Sequence, residues 1–334
     1  MSKSNIEWTD TTWNPTVGCT KVSACCKHCY AKSMHARLAK MGQAKYAEPF
    51  ETVWPWPAQL ADPLSWRKPR RVFVNSMSDL FHDDLPDEYI AAVFGVMAAA
   101  PQHTFQVLTK RAERMREWFT WATERHIAGQ AYLHKHKQES AMWSDARGER
   151  PPVIQWPLPN VWLGVSTEDQ ERADERIPHL LATPAAVRFV SYEPALGAVD
   201  FSPWLTPHAE PAARTTHHVI TPPLSWVIVG GESGPGARPF DVDLAYSTIE
   251  QCRGNRVACF VKQLGAHPYA IDGSASARRW MSSGSRVGFM DDCGGIHLDD
   301  RKGGDMDEWQ EQWRVRQFPT AHHAETSAIG RAKG

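Results

Sequence analysis

Short runs of β-branched and aromatic residues recur along this chain, and each one closes on a polar cluster. Residues 71–75 (RVFVN) lead into SMSD, 104–108 (TFQVL) into TKR, and 161–165 (VWLGV) into STED. Residues 187–190 (VRFV) lead into SYEP, 226–229 (WVIV) into GGESG, and 257–261 (VACFV) into KQ. Apolar runs of this length, without alternation, fit strands covered on both faces, as in parallel sheets. Helical spacing fills the intervals. Residues 87–100 follow Pro86 and precede Pro101, and 111–126 mix charged and apolar positions. Residues 168–181 open on an acidic turn that suits a helix dipole, and 241–253 precede a Gly254–Asn255 stop. A weaker seventh strand is expected before Cys19. Strand–helix alternation of this kind predicts βα units, a parallel sheet and an α/β fold.

Both an open doubly wound sheet and a full or partial βα (TIM-like) barrel satisfy the pattern. The barrel is favoured, because polar clusters follow every strand and so suit one mouth built from all the strand ends. An open sheet would concentrate its site at one switch point. The expected organisation is a single domain over residues 1–318, with surface insertions at about 127–159 and 203–223. A disordered tail is expected over 319–334.

Lys and Arg total 37 against 38 Asp and Glu, a net charge of -1. That excludes a global electrostatic pull toward nucleic acid or anionic membrane and leaves only local patches. The longest apolar-rich run, 89–100, is well short of the ~20 residues a spanning helix needs. The N-terminus has no apolar core of a signal peptide. A cytoplasmic, reducing location with no membrane partner is expected.

Four of the seven cysteines crowd into GCTKVSACCKHCY, residues 18–30. Clustering in a long chain points to metal rather than to a disulfide framework. Cys19, Cys26 and Cys29 have the spacing C-x6-C-x2-C, and the C-x2-C pair lets two sulfurs face one centre. Three thiolates are one short of a closed zinc site or an ordinary iron–sulfur cluster. A [4Fe–4S] cluster held by three thiolates keeps one iron free for another ligand. The rival is a zinc site completed by His28, His35, Cys25 or a distant cysteine. Cys25 reads as a bystander, and Cys252, Cys259 and Cys293 as ordinary thiols.

A cysteine triad ahead of the first helix of a βα barrel resembles the radical S-adenosylmethionine enzymes. More closely, GCTKVS…C-x2-CYA followed in order by FVNSMSDLFH, QVLTKR, WLGVS, FVSYEP, VIVGGESG and FVKQLG resembles an uncharacterised phage- and prophage-encoded family. That family has a three-cysteine motif and a radical-SAM-like domain, and the likeness spans about residues 5–318. It departs from the broad superfamily, whose usual spacing is C-x3-C-x2-C with an aromatic before the last cysteine. Here the first gap is six, and Tyr30 follows the last cysteine. Asn75–Asp79 stands where the superfamily often has Gly-Gly-Glu.

The resemblance implies a [4Fe–4S] cluster on Cys19, Cys26 and Cys29, S-adenosyl-L-methionine as cofactor, and an electron donor as partner. The mouth residues then become candidates. Ser76, Ser78 and Asp79 suit an ammonium or ribose. Lys110 and Arg111 suit a carboxylate. Ser166 and Glu168 follow the fourth strand, and Gly230 and Gly231 would let a ligand approach backbone N–H groups. Glu193 and Glu232 are the catalytic candidates, since a carboxylate straight after an apolar strand is costly unless used or paired. Lys262 and Gln263 end the last strand. Each also has a plain reading as a cap, a loop or a first helical turn.

Trp54, Trp56 and Trp66 beside Arg67, Lys68, Arg70 and Arg71 form the best local patch for stacking nucleobases; packing of a loop is the favoured reading. His134 and His136 read as exposed insertion residues. DDRKGGD at 299–305 is expected to turn over the mouth. Trp309 and Trp313, at i and i+4, are expected on one helical face. Two functions remain in view. One is a radical enzyme acting on a nucleobase or nucleotide. The other is a non-catalytic zinc- or cluster-stabilised binding protein in a phage-encoded complex.

Overall fold

A computed structural model describes residues 4, 6–124, 156–206, 224–234, 236–271, 289–290 and 294–319. Seven strands form one sheet: β1 (Thr11–Trp13), β2 (Arg71–Val74), β3 (Thr104–Thr109), β4 (Val161–Thr167), β5 (Val187–Tyr192), β6 (Trp226–Gly230) and β7 (Ala258–Gln263). They lie side by side in chain order and every pair is parallel. All seven expected strands are present, including the weak one before Cys19. Among the described residues β1 and β7 do not pair, so the barrel is partial.

The sheet curls, and the evidence is Trp8. Its ring lies 4.7 Å from Phe73 on β2 and 6.1 Å from Trp226 on β6. Four strand spacings in a flat sheet would separate those strands by roughly 19 Å. Side-chain alternation sorts the two faces. Phe73, Trp162, Phe189, Trp226, Ile228 and Phe260 close on Trp8 from the concave side. Val72, Val74, Val107, Leu163, Val165, Val190, Val227 and Val261 point outward into the larger core.

That core is covered by the connecting helices α1 (Tyr30–Lys40), α2 (Asp87–Ala99), α3 (Ala112–Glu124), α4 (Gln170–Leu181) and α5 (Val242–Asn255). Helix α2 is buried almost all round, which explains its continuous apolar sequence. No described helix is long and apolar enough to cross a membrane. Helix α4 starts two residues later than its acidic run suggests, because Asp169 caps it by accepting from Arg172 N–H at 2.9 Å. Glu168 is thereby left outside the helix.

Two further expectations are corrected. Helix α5 runs through Gly254 and Asn255 and ends at Arg256, which takes the left-handed conformation at φ 57°. Asn255 extends the helix by donating its amide to Gln251 O at 2.9 Å. Trp309 and Trp313 are both fully buried but do not share a helix; Trp313 ends the second of two 3-10 turns, Met306–Glu308 and Glu311–Trp313, and Trp309 follows the first. Their indole N–H groups donate to Gly303 O and Val242 O, which fixes each ring separately. His134, His136, Cys293 and most of both insertions lie outside the described residues, as does the tail beyond 319.

Candidate functional site

The cysteine segment follows a short strand, Thr16–Val17, and lies over the C-terminal ends of the sheet strands. Gly18 makes the entry turn at φ 84°, and a Cβ there would sit 1.9 Å from Thr52 O, so no other residue fits. Ala24–His28 forms a 3-10 turn, and Cys29 precedes α1.

Three strand ends grip this segment. From the end of β3, Arg111 donates to Thr20 O at 3.2 Å, Thr20 Oγ1 at 2.9 Å and Cys19 Sγ at 3.7 Å. From the end of β4, Glu168 accepts the Cys25 N–H at 3.5 Å. From the loop after β6, Arg238 donates to Ala24 O at 3.3 Å. The segment therefore spans the mouth from β3 to β6.

Asp79 sits behind Arg111 and is fully engaged. Its carboxylate accepts from Phe81 N, Thr109 Oγ1, Lys110 N and Arg111 Nη1, at 2.7–3.2 Å. Ser78 shares a 2.7 Å hydrogen bond with Thr16 Oγ1, and Ser76 donates to Asn14 Oδ1 at 3.2 Å. These three predicted ligand contacts thus tie the cysteine segment to β1, β2 and β3. His82 joins the same network through Thr20 Oγ1 at 2.8 Å.

Lys110 points into the mouth, with Nζ 3.5 Å from Ser166 Oγ. Burial opposes its charge, but Cys25, Cys26 and Asp79 carry its pKa upward. Cys26 is held well below the usual thiol range by the Cys25 thiol, which donates to it, and Lys110 adds to the effect. Cys19 is pushed up to about 11, chiefly by burial and then by Asp79, with Arg111 opposing. The site therefore favours a thiolate at Cys26 and sets Arg111 beside Cys19.

Glu168 is wholly buried and pairs with Arg176 at 3.2 Å; Arg176 also donates to Ser166 O at 2.8 Å. Arg176 escaped the sequence reading although a signal exists. It stands with Ala173, Ile177 and Leu180 on the buried stripe of α4, where a charge needs a buried partner. Arg238, the partner of Glu232, was likewise missed. Glu193 and Lys262 form a 2.5 Å ion pair across the ends of β5 and β7. Burial raises the Glu232 pKa, yet the Arg238 hydrogen bonds bring it below the usual carboxylate value. Gly230 and Gly231 serve close packing: a Cβ on Gly231 would lie 2.7 Å from Phe240 Cβ, and one on Gly230 3.0 Å from Gln263 O.

The tryptophan patch is packed. Trp54 and Trp56 lie against Val17, Tyr46 and Met77, and Trp66 is buried with Arg70 over its ring. The 299–305 turn does stand beside the end of β7, where Leu264 N–H donates to Gly303 O at 2.8 Å.

Among the described residues, no three His, Cys, Asp or Glu side chains are gathered closely enough to hold a metal ion. The donors suit a cluster by chemistry, as three thiols of which Cys19 and Cys26 lie near Arg111 and Lys110, and not by their present spacing.

A family profile matches residues 3–320, nearly the whole chain. The chain belongs to the DUF5131 family. That family is described as a protein of unknown function. Comparison with curated proteins and with solved structures found no match. For this DUF5131 protein the function must be argued from its own residues.

Proposed function

We propose that the protein is a radical S-adenosylmethionine-type enzyme whose [4Fe–4S] cluster is held by Cys19, Cys26 and Cys29. Its substrate is a nucleobase or nucleotide, and it draws its electron from a donor in a reducing cytoplasm; a phage or prophage setting suits that substrate class. One observation carries the reading: a three-cysteine segment is clamped across the C-terminal ends of a parallel half-barrel, where ligand-bearing loops of βα folds meet. The chemistry supplied by such a cluster is one-electron cleavage of a carbon–sulfur bond of the sulfonium cofactor.

The chain's own residues have definable tasks. Lys110 adds to the thiolate preference of Cys26, and Arg111 opposes the effect of burial on Cys19. Cys25 stabilises charge on Cys26 through its hydrogen bond; cluster binding would replace that bond and the Arg111–Cys19 contact. Glu168 and Arg238 hold the segment by its backbone, so its sulfurs move without the segment leaving the mouth. Lys262 and Glu193 pair across the ends of β7 and β5 and place a charged contact at the far side of the mouth.

Anaerobic reconstitution tests the proposal. We expect about four irons and four sulfides per chain, an altered electron spin resonance signal when S-adenosylmethionine is added, and loss of iron in the Cys19→Ala/Cys26→Ala/Cys29→Ala variant. Zinc in place of iron, or iron that survives the triple substitution, would refute it. Loss of the cluster from Cys25→Ala alone would refute the ligand assignment.

A further inference from the structure

A chain with almost no net charge can still segregate it. Residues 11–47 hold six Lys and Arg and no Asp or Glu, although the whole chain has 38 acids. Lys45 is buried; Lys21, Lys27, Lys32, Arg37 and Lys40 are exposed. These five lie on the cysteine segment that spans the mouth and on α1, which follows it. Three of the four large apolar side chains exposed among the described residues, Val22, Tyr30 and Met41, belong to the same stretch.

An ordinary solvated helix face does not account for this. Helices α3, α4 and α5 each pair a cation with an acid of their own one turn away: Arg116 with Glu113, Arg172 with Glu175 and Arg253 with Glu250. Helix α1 carries no acid. Lys32 pairs with Glu51 at 2.5 Å, while Lys21, Lys27, Arg37 and Lys40 form no ion pair among the described residues. Helix stability does not account for it either. Arg37 and Lys40 suit the negative C-terminal end of α1, but Lys32 stands in its first turn and Lys27 just before it, where the positive end repels them. Neighbouring acids are engaged elsewhere: Asp79 with Arg111, Glu232 with Arg238, and Asp84 3.6 Å from His82.

The exposed residues share one side. At 3.6 residues per turn, Lys32, Ala36, Lys40, Ser33 and Arg37 fall within about 140° of the α1 surface. Met34 and Leu38 turn inward onto Val17, Tyr46 and Met77. Tyr30 stands where this face meets the mouth and is 61% exposed. Burial opposes the Lys262 charge, and Glu193, Glu7 and Tyr30 carry its pKa upward, so the Tyr30 ring lies on the Lys262 side of the opening.

The pattern selects a partner. Cations without counter-ions can track a phosphate backbone, and an exposed ring can stack on an unpaired base. A duplex keeps its bases stacked and leaves Tyr30 unused. A protein partner would need a contiguous apolar centre, whereas Tyr30 and Met41 stand at opposite ends of an 11-residue helix about 16 Å long. We propose that residues 21–40 form a binding face for single-stranded nucleic acid, with Lys21, Lys27, Arg37 and Lys40 on phosphates and Tyr30 stacked on a base at the lip of the mouth. Delivery of that base into the mouth rests on the function proposed above; the face itself does not.

The test needs no cluster. Full-length protein is titrated into a labelled single-stranded oligonucleotide of mixed sequence, and fluorescence anisotropy is read. With four phosphate contacts, affinity should fall roughly fiftyfold from 50 to 200 mM salt. Arg37→Gln/Lys40→Gln keeps two contacts and should show a fall of only about sevenfold over the same range. Tyr30→Ala should weaken binding about fivefold or more, and Tyr30→Phe, which keeps the ring, should match wild type. Arg67→Gln/Lys68→Gln removes the same charge from the exposed edge of the packed tryptophan patch and should change binding less than about twofold. A urea unfolding curve confirms that each variant folds. No binding at low salt, equal losses in the two double variants, or a duplex of the same sequence competing as well as the single strand would overturn the assignment. Poly-glutamate competing as well as the strand would overturn it too, in favour of an acidic protein partner. Iron uptake separates the two proposals. A protein that takes iron but binds no strand overturns the binding face alone. One that binds the strand through these residues and takes no iron overturns the enzyme reading and supports the face.

Discussion

Replacing Arg176 by Met strips the partner from a carboxylate that water does not reach. The Glu168 side chain is 0% exposed and that of Arg176 2%. Glu168 would keep only the long contact from Cys25 N–H, and Ser166 O would lose its 2.8 Å donor. Breaking a buried pair on one side costs about 3–5 kcal/mol, most of it the penalty of the abandoned charge. With a urea slope of about 3 kcal/mol/M for a chain of this size, the midpoint should fall by roughly 1 M or more. The fifteen tryptophans give the fluorescence signal. The double variant Glu168→Gln/Arg176→Met removes the charge as well as the partner and should recover more than half of the loss. A single-variant shift below about 0.3 M, or a double variant no better than the single, would refute the argument, because the pair would then not be a desolvated one. The single variant should also loosen the cysteine segment, seen as faster amide exchange at Cys25.

Three other outcomes are expected. Lys45 is buried against Asn14 O and Gln59, and burial brings its pKa down to about 8 with Asp62 opposing. The unfolded chain then holds a proton that the folded one lacks between that value and 10.5, so stability should rise with pH across this window, by at most about 3 kcal/mol. Lys45→Met should flatten the rise in urea midpoints measured from pH 7.5 to 10.5. Gly164→Ala should cost about 1–3 kcal/mol in the same denaturation assay, because its Cβ would lie 2.5 Å from the Phe189 ring. Trp309→Ala should cost about 3–5 kcal/mol by deleting a fully buried indole and its bond to Gly303 O; a loss under about 1 kcal/mol would place that ring at the surface.

Much of the scaffold is local and so could be read from the residues. Strands β2 to β7 read as largely apolar runs because the helices cover one face and the aromatic interior the other. The helices after β2, β3, β4 and β6 could be located as well, although the cap at Asp169 was not. The error at Gly254–Asn255 has a local cause too: an Asn side chain bonded to Gln251 O carried the helix past a stop signal. Curling is different. Nothing in the strand sequences states that Trp8 must touch both β2 and β6, and that contact exists only once the sheet has bent around it.

The candidate site divides the same way. The cysteine spacing, the cations after β3 and the carboxylates after β4, β5 and β6 are properties of the sequence, since residues following parallel strands share one end of the sheet. Their partners are not. Glu168 with Arg176, Glu232 with Arg238 and Glu193 with Lys262 were decided by which loops and helices came together. So was the saturation of Asp79, which turned a predicted ligand contact into the anchor of Arg111. Asn75 reads in sequence as the last residue of the run that forms β2. Only the tertiary structure buries its amide and leaves it unpartnered, because a hydrogen-bond deficit belongs to a three-dimensional environment and not to a residue type.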